Sequence, residues 1–444
     1  MSAHATPALV PPPALEEPVA GNYFVAVYPP FSVWRPSEVP ALQTALQEPG
    51  PAAPIGLYVH LPFCQKKCDY CYYLSYVGQK PDVVDRYLDH LVRELTLYSR
   101  RPGVAGRPVS FVYFGGGTPS TLTVPQLQRL MTGLRAVLPW TGVEEVTFEC
   151  APRSVRPDFL QALGELGVTR ISMGLQSFDN TVLKLNGRIH LAEDAVRAFT
   201  QIRQAGFGHV NLDLMTGLVG ETWTRWEKSV RRVAELGPES VTIYQTEIPH
   251  NTRLYRDVQA NGLSLSLVPW PEKRQRLAYA FSELEQAGYT VVNGYSALKD
   301  PARHRFRYQD NLWRGADMLG LGVASFGYCA GVHYQNAVTL ETYQAAIEDG
   351  ALPLQRAFRL SARDRLVREF VLQLKCGKVS AAAFKEKFDE DILQLFAEPL
   401  ADLAAGGMLT STEAGVQLTN AGLVSVDRLL PRFYDPEYRN VRYT

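Results

Sequence analysis

Leu57-Tyr58-Val59-His60-Leu61-Pro62-Phe63-Cys64-Gln65-Lys66-Lys67-Cys68-Asp69-Tyr70-Cys71 joins an apolar run to three thiols. The run has the length and the Val, Leu and Tyr content of a strand. The thiols follow at C-x3-C-x2-C spacing, near enough to share one metal centre, and thiolate sulfur favours iron–sulfur clusters or zinc. A four-iron cluster has four iron corners; three cysteines hold three and leave one open to a small molecule. Two other readings compete. His60, four residues before Cys64, would complete a Cys3His zinc site, but structural zinc takes its ligands in two spaced pairs and no second pair follows. The other is three ordinary buried cysteines, and Lys66, Lys67 and Asp69 argue against burial.

Working outward, 444 residues exceed one ordinary core, which points to two domains or a barrel with an appendage. Hydrophobic content of 46% with 20% charged residues is that of a soluble globular chain. Lys+Arg and Asp+Glu both number 45, so no overall basic footprint for nucleic acid exists. Six cysteines are too few for a disulfide framework. Cys150, Cys329 and Cys376 read as small buried hydrophobes. An oxidisable cluster implies a reducing compartment. The Ala- and Pro-rich start lacks the pattern of a signal peptide, and no apolar run is long enough to span a membrane, so the cytoplasm is expected.

Residues 1–20 read as a disordered tail. Residues 21–55 form an aromatic arm and linker, Asn22 to Trp34 being rich in aromatics and broken by prolines. The arm is expected to cover an apolar edge of the main domain; the alternative places it over a substrate mouth. From 56 to 250 strand and helix patterns alternate. Strands are expected at 56–61, 109–114, 144–150, 170–175, 209–215 and 240–246, and helices at 83–99, 124–138, 157–166, 191–205 and 223–236. Pro125 and Pro157 suit first helical turns, and Gly167 and Gly206 suit helix ends. This α/β alternation implies a parallel sheet with right-handed crossovers, and six units make a partial barrel.

A parallel barrel carries its chemistry at the C-terminal ends of its strands. At those ends stand the cysteines, Gly115-Gly116-Gly117-Thr118-Pro119, Glu149, Gln176 with Arg188 beyond it, Asp213, and Thr246-Glu247. Three glycines make a tight turn, yet they also let a ligand approach bare backbone. A strand-end carboxylate often serves only as a cap or salt-bridge partner, but it also suits the hydroxyls of a ribose. Gln176 and Arg188 alone would be unremarkable surface residues.

The motifs resemble the radical S-adenosylmethionine (SAM) superfamily: the cysteine spacing with an aromatic, Tyr70, before the last cysteine. Tyr58 to Cys64, Phe114 to Ser120, Gly174 to Phe178 and Asp213 to Leu218 resemble the oxygen-independent coproporphyrinogen III oxidase (HemN-like) family over about residues 22–428. The resemblance implies a partial (βα)6 TIM-type radical SAM barrel, and a [4Fe–4S] cluster on Cys64, Cys68 and Cys71 with SAM chelating the open iron. Reductive cleavage then gives a 5′-deoxyadenosyl radical that takes a hydrogen atom from substrate. Tyr58, Gly116 and Glu149 match contacts to that SAM. Gly117, Thr118, Gln176, Arg188 and Asp213 match contacts to a second SAM or a substrate in its place. It also implies a tetrapyrrole substrate and a low-potential electron donor such as flavodoxin or ferredoxin.

Two departures matter. The oxidases carry a further cysteine two residues after the third; here Tyr72-Tyr73 follow Cys71. The related heme chaperones, called HemW, lack that cysteine but carry a His-Asn-x-x-Tyr-Trp heme motif; the stretch here is Tyr308-Gln309-Asp310-Asn311-Leu312-Trp313. Oxidase-like tetrapyrrole chemistry, a heme chaperone and a radical C-methyltransferase are the competing functions, with His250, His304 and His333 as heme-ligand candidates. A substrate-side extension with a Gly-rich segment is expected over 251–360, and a helical, winged-helix-like domain acting as lid or substrate wall, with a two-stranded wing, over 361–430. An aromatic, charged tail ends the chain.

Overall fold

Apolar side chains at every second position make one face of each short run hydrophobic and leave the other free to be polar. In the computed structural model, which describes residues 24–261, 267–439 and 441, these runs are β1 (Ile55–Leu61), β2 (Val109–Gly116), β3 (Glu145–Cys150), β4 (Arg170–Gln176), β5 (Val210–Thr216) and β6 (Ser240–Gln245). All five neighbouring pairs are parallel. The crossovers are α1 (Pro81–Ser99), α2 (Val124–Val137), α3 (Pro157–Glu165), α4 (Ala192–Gln204) and α5 (Trp223–Leu236). Pro125 and Pro157 sit in first turns as expected, and Thr123 and Gln126 cap α2 reciprocally. The expected N-terminal residues 1–20, and Asn22 and Tyr23 of the arm, lie outside the described residues.

Val59, Phe114, Phe148, Met173, Leu212 and Ile243 point away from the barrel axis and are buried in one core with the crossover helices. Burying each such side chain stabilises the fold by about 1.5–3 kcal/mol. Residues of opposite parity point inward, where the interior is polar. Asn211 Nδ2 donates to Ser172 Oγ at 3.0 Å, and Ser240 Oγ and Thr242 Oγ1 both donate to Asn211 Oδ1 at 2.9 Å.

The sheet does not stop at six strands. After α6 (Trp270–Gln286), β7 (Thr290–Val291) and β8 (Ser296–Leu298) continue it antiparallel beyond β6. On the other side β9 (Met318–Leu321) adds a parallel strand beside β1, followed by antiparallel β10 (Phe326–Cys329), β11 (Val332–Asn336) and β12 (Leu354–Arg359). The order β12-β11-β10-β9-β1-β2-β3-β4-β5-β6-β8-β7 is open at both ends. The Gly-rich segment is therefore part of the main sheet; β9 is only four residues long, and Gly320 within it hides the strand pattern.

A second core gathers α7 (Ala362–Leu374), the helices after it and the arm residues Val25 and Tyr28. Its wing has three strands rather than the two expected, because β13 (Lys378–Ser380) pairs with β15 (Gly415–Leu418) opposite β14 (Leu409–Thr412). Phe433 and Tyr434 of the tail dock in this core. No helix among the described residues is long and apolar enough to cross a membrane.

Glu94 of α1 ties the Gly-rich segment to the barrel. Its buried carboxylate accepts from Gly322 N–H at 2.7 Å, Asn336 Nδ2 at 2.7 Å and Tyr343 Oη at 2.6 Å. Burial pushes it up from 4.5 to about 7 despite these donors. A carboxyl raised on folding stabilises the fold in its protonated form, a share complete below about pH 4.5 and lost as pH rises to about 7. Asp213 and buried Glu221, both raised by desolvation, act in the same direction. In Glu94→Gln the fall in stability across that window, measured by denaturant titration, shrinks by ~3 kcal/mol relative to wild type.

Candidate active site

The cysteine loop is pinned at both ends. Phe63–Cys64 pairs in parallel with Tyr76–Val77, and Asp69 N–H donates to Asn186 O at 3.3 Å. Leu254 N–H reaches back to Asp69 O at 2.8 Å, and Tyr70 packs on the small core of Ile248, Leu254 and Val258. All three thiols are free and partly exposed. Thr118 Oγ1 donates to Cys64 Sγ at 3.5 Å, and Arg188 Nη1 to Cys68 Sγ at 3.4 Å. Burial pushes the Cys64 thiol up and the Cys71 thiol up to about 11. Thiolates here need a cation to hold them, and an iron–sulfur cluster supplies one.

Beside the loop lies the glycine turn. Gly117 N–H donates to Leu61 O and Thr118 N–H to Phe63 O, both at 2.8 Å, so the turn is bonded onto the end of β1. Gly116 has φ +114°, and a Cβ there would stand 2.6 Å from the His60 ring; a Cβ on Gly117 would stand 2.7 Å from Phe63 O. Only bare backbone fits, leaving a cradle in which a ligand meets the main chain.

Inward parity brings the other expected residues to the same rim. Glu149 accepts from Tyr113 Oη at 2.6 Å and Gly116 N–H at 3.2 Å. Burial raises its pKa, as burial and then the Glu149 charge raise Asp213 to about 7. Asn211 Nδ2 donates to Asp213 Oδ1 at 2.7 Å. Gln176 holds φ +72°, costly for a side chain other than glycine. Arg188 Nη2 donates to Gly174 O at 2.6 Å. Gln176 Oε1 and Arg188 Nε are buried without a hydrogen-bond partner. Tyr58 stacks near Tyr113 and its hydroxyl lies 3.2 Å from His60 Nδ1.

Tyr58, Cys64, Cys68, Tyr70, Cys71, Gly116, Gly117, Thr118, Glu149, Gln176, Arg188 and Asp213 all line one chamber of about 1040 Å³. Sequence reasoning missed Tyr113, Ser172, Met215 and Tyr244, which line it as well. Steps of two residues from the expected rim positions Gly115, Gln176, Asp213 and Thr246 would have found them. It also missed Arg368 of α7 and the segment from Val424 to Arg428, which wall the chamber from the second core.

The expectation that the arm covers an apolar edge is incomplete. Arg35 does pair with Ala357 of the edge strand β12, but Phe24, Ala26, Val27, Phe31 and Trp34 face the chamber. Trp34 stacks on His333, rings 5.0 Å apart and 11° from parallel, while Phe31 meets Phe326. The arm is held by Asp427, which accepts from Val25 N–H at 3.0 Å and pairs with buried Lys375 Nζ at 3.1 Å. Tyr72 and Tyr73, with rings 4.5 Å apart, also line the chamber. His250 and His333 reach its wall and His304 does not; His333 Nε2 is engaged with Tyr28 O at 3.2 Å. Tyr308 to Trp313 lies on a helix (Arg307–Trp313) that puts Tyr308, Gln309, Leu312 and Trp313 into the chamber. Cys150 and Cys329 are buried as expected; Cys376 is only partly so.

Known proteins match this arrangement. Residues 58–233 match the radical SAM superfamily and residues 360–424 the HemN C-terminal domain. The heme chaperone HemW of Bacillus subtilis is 30% identical over 370 residues, covering 82% of this chain and 95% of its own. The oxygen-independent coproporphyrinogen III oxidase of Escherichia coli is 30% identical over 389 residues, covering 84% and 83%. The solved structure of coproporphyrinogen III oxidase (HemN) from Escherichia coli, described as a radical SAM enzyme, superposes with a TM-score of 0.81 at 27% identity, over 92% of this chain and 96% of that one. An α/β sheet of this topology, three thiols on the loop after its first barrel strand and kinship along most of the chain place the protein in the radical SAM family of coproporphyrinogen oxidases and HemW chaperones, whose cofactors are a [4Fe–4S] cluster and SAM.

Proposed function

We propose that this protein is a radical SAM enzyme acting on a tetrapyrrole-like substrate, in the manner of the coproporphyrinogen III oxidases. One observation carries the reading: the cysteine loop, the glycine cradle and a large aromatic-walled space form a single chamber. When bound, the cluster supplies one electron for reductive cleavage of SAM at the sulfonium. Cys64, Cys68 and Cys71 would each hold an iron, and Tyr70 would back the loop against its small core. Tyr58, Gly116 and Glu149 would receive the methionyl end of SAM, Glu149 being oriented by Tyr113. Gly117, Thr118, Gln176, Arg188 and Asp213 would receive a second SAM or the part of the substrate in its place. Two carboxyl groups on the chamber wall beside bare backbone suit ribose hydroxyls and an ammonium group. The arm and the second core would keep water from the chamber.

Anaerobic reconstitution should give about four irons per chain, and 5′-deoxyadenosine should form with dithionite and SAM. Iron bound only as a trace, or zinc in its place, would overturn the reading. Cys64→Ala, Cys68→Ala and Cys71→Ala should each lose the cluster absorption. Gly116→Ala should keep its iron but form 5′-deoxyadenosine at least tenfold more slowly, since the left-handed conformation and the His60 contact both oppose a Cβ. Incubation with coproporphyrinogen III, read by product mass, separates decarboxylation from methyl transfer.

Kinship to the Bacillus subtilis chaperone favours one second reading, a heme-binding protein. A stoichiometric Soret band on adding heme, lost in His250→Ala, would support it; free heme spectra throughout would exclude it.

A further inference from the structure

Arg368 stands in the chamber wall on α7, 1% exposed. Its guanidinium lies 4.1 Å over the Tyr328 ring, and Nη2 donates to Leu312 O at 3.3 Å. Nε and Nη1 are buried with no hydrogen-bond partner. A guanidinium stays charged and carries five N–H donors, so most of its capacity is unspent.

The neighbouring acids do not relieve it. Glu369 is held by Lys387, whose Nζ reaches its two carboxylate oxygens at 2.7 and 2.8 Å. Asp317 is held by Arg107 Nη1 at 2.7 Å. His333 is neutral, burial and then the Arg368 charge pushing its pKa well down, and it lies between Trp34 and Tyr328. Among the described residues no carboxylate pairs with Arg368. A buried cation without a counterion is strongly unfavourable and persists where something else completes it. The surroundings say what that is: flat aromatic walls beside a fork of donors suited to a carboxylate. The rim groups read as SAM contacts come from the barrel strands and the loops after them, whereas Arg368 comes from the second core.

We propose that Arg368 anchors a carboxylate on the chamber's substrate, so that this wall selects an acid over its neutral ester. The proposal rests on the reading of the chamber as a tetrapyrrole site.

The reconstituted holoprotein is titrated against coproporphyrin III and its tetramethyl ester, in the same mild detergent, and read by porphyrin fluorescence anisotropy. Wild type should bind the acid at least tenfold more tightly than the ester. Arg368→Gln should lose that preference by weakening acid binding alone, and Arg368→Lys should keep part of it, with iron content equal to wild type showing that each variant folds. Equal affinity of wild type for acid and ester overturns the anchor without any variant, as does a preference undiminished in Arg368→Gln. Failure of both porphyrins to bind wild type overturns the tetrapyrrole reading itself, and the anchor with it.

Discussion

Three thiolates held together repel one another and lose hydration, and the whole arrangement answers that constraint. Burial drives the Cys64 and Cys71 thiols toward their neutral forms, so the loop is a competent ligand set only when metal takes the charge. The fold does not collapse the loop to escape the cost. It fixes it, by the Phe63–Cys64 pairing with Tyr76–Val77 and by backbone bonds from Asp69 to Asn186 and from Leu254 to Asp69. Arg188 on Cys68 and Thr118 on Cys64 bring donors to the sulfurs.

A parallel barrel suits this task because its two faces separate two jobs. Outward residues such as Val59, Phe148 and Ile243 carry stability in the core shared with the helices. Inward residues are then free to be chosen for chemistry, and the polar network on Asn211 supports Asp213 from beneath. The strained Gln176 backbone and the glycine turn sit on the rim, not in the core. Their cost is met by packing on the opposite face.

The chamber is finished by elements far from the barrel in sequence. Lys375 and Asp427 grip the arm, and Asp427 also accepts from Tyr295 Oη. One buried cation and one carboxylate thus join the arm, the second core and the barrel's β6 side. Arg368 differs from Lys375 in this respect: Lys375 has its carboxylate inside the protein, and Arg368 faces the chamber without one.

The local pattern was enough to read six strands, five crossovers and the rim residues, because side-chain parity and helical period are properties of a few consecutive residues. The thiol spacing likewise narrowed the metal chemistry to an iron–sulfur cluster or zinc, and the surrounding motifs, by resemblance, favoured the cluster. What the pattern could not show was how distant segments close on one another. The run from Met318 to Leu321 reads only as part of a Gly-rich segment until β1 offers it a parallel edge. The third wing strand at Lys378–Ser380 exists only because β15 lies beside it. Arg368 reads as one more helix arginine, and its place in a chamber wall rather than in water depends on Tyr328 and Leu312, which come from two other segments. Sequence alone determined which groups could do chemistry. The tertiary structure decided which of them share a space, because burial and the pairing of charges are settled by contacts between residues hundreds of positions apart.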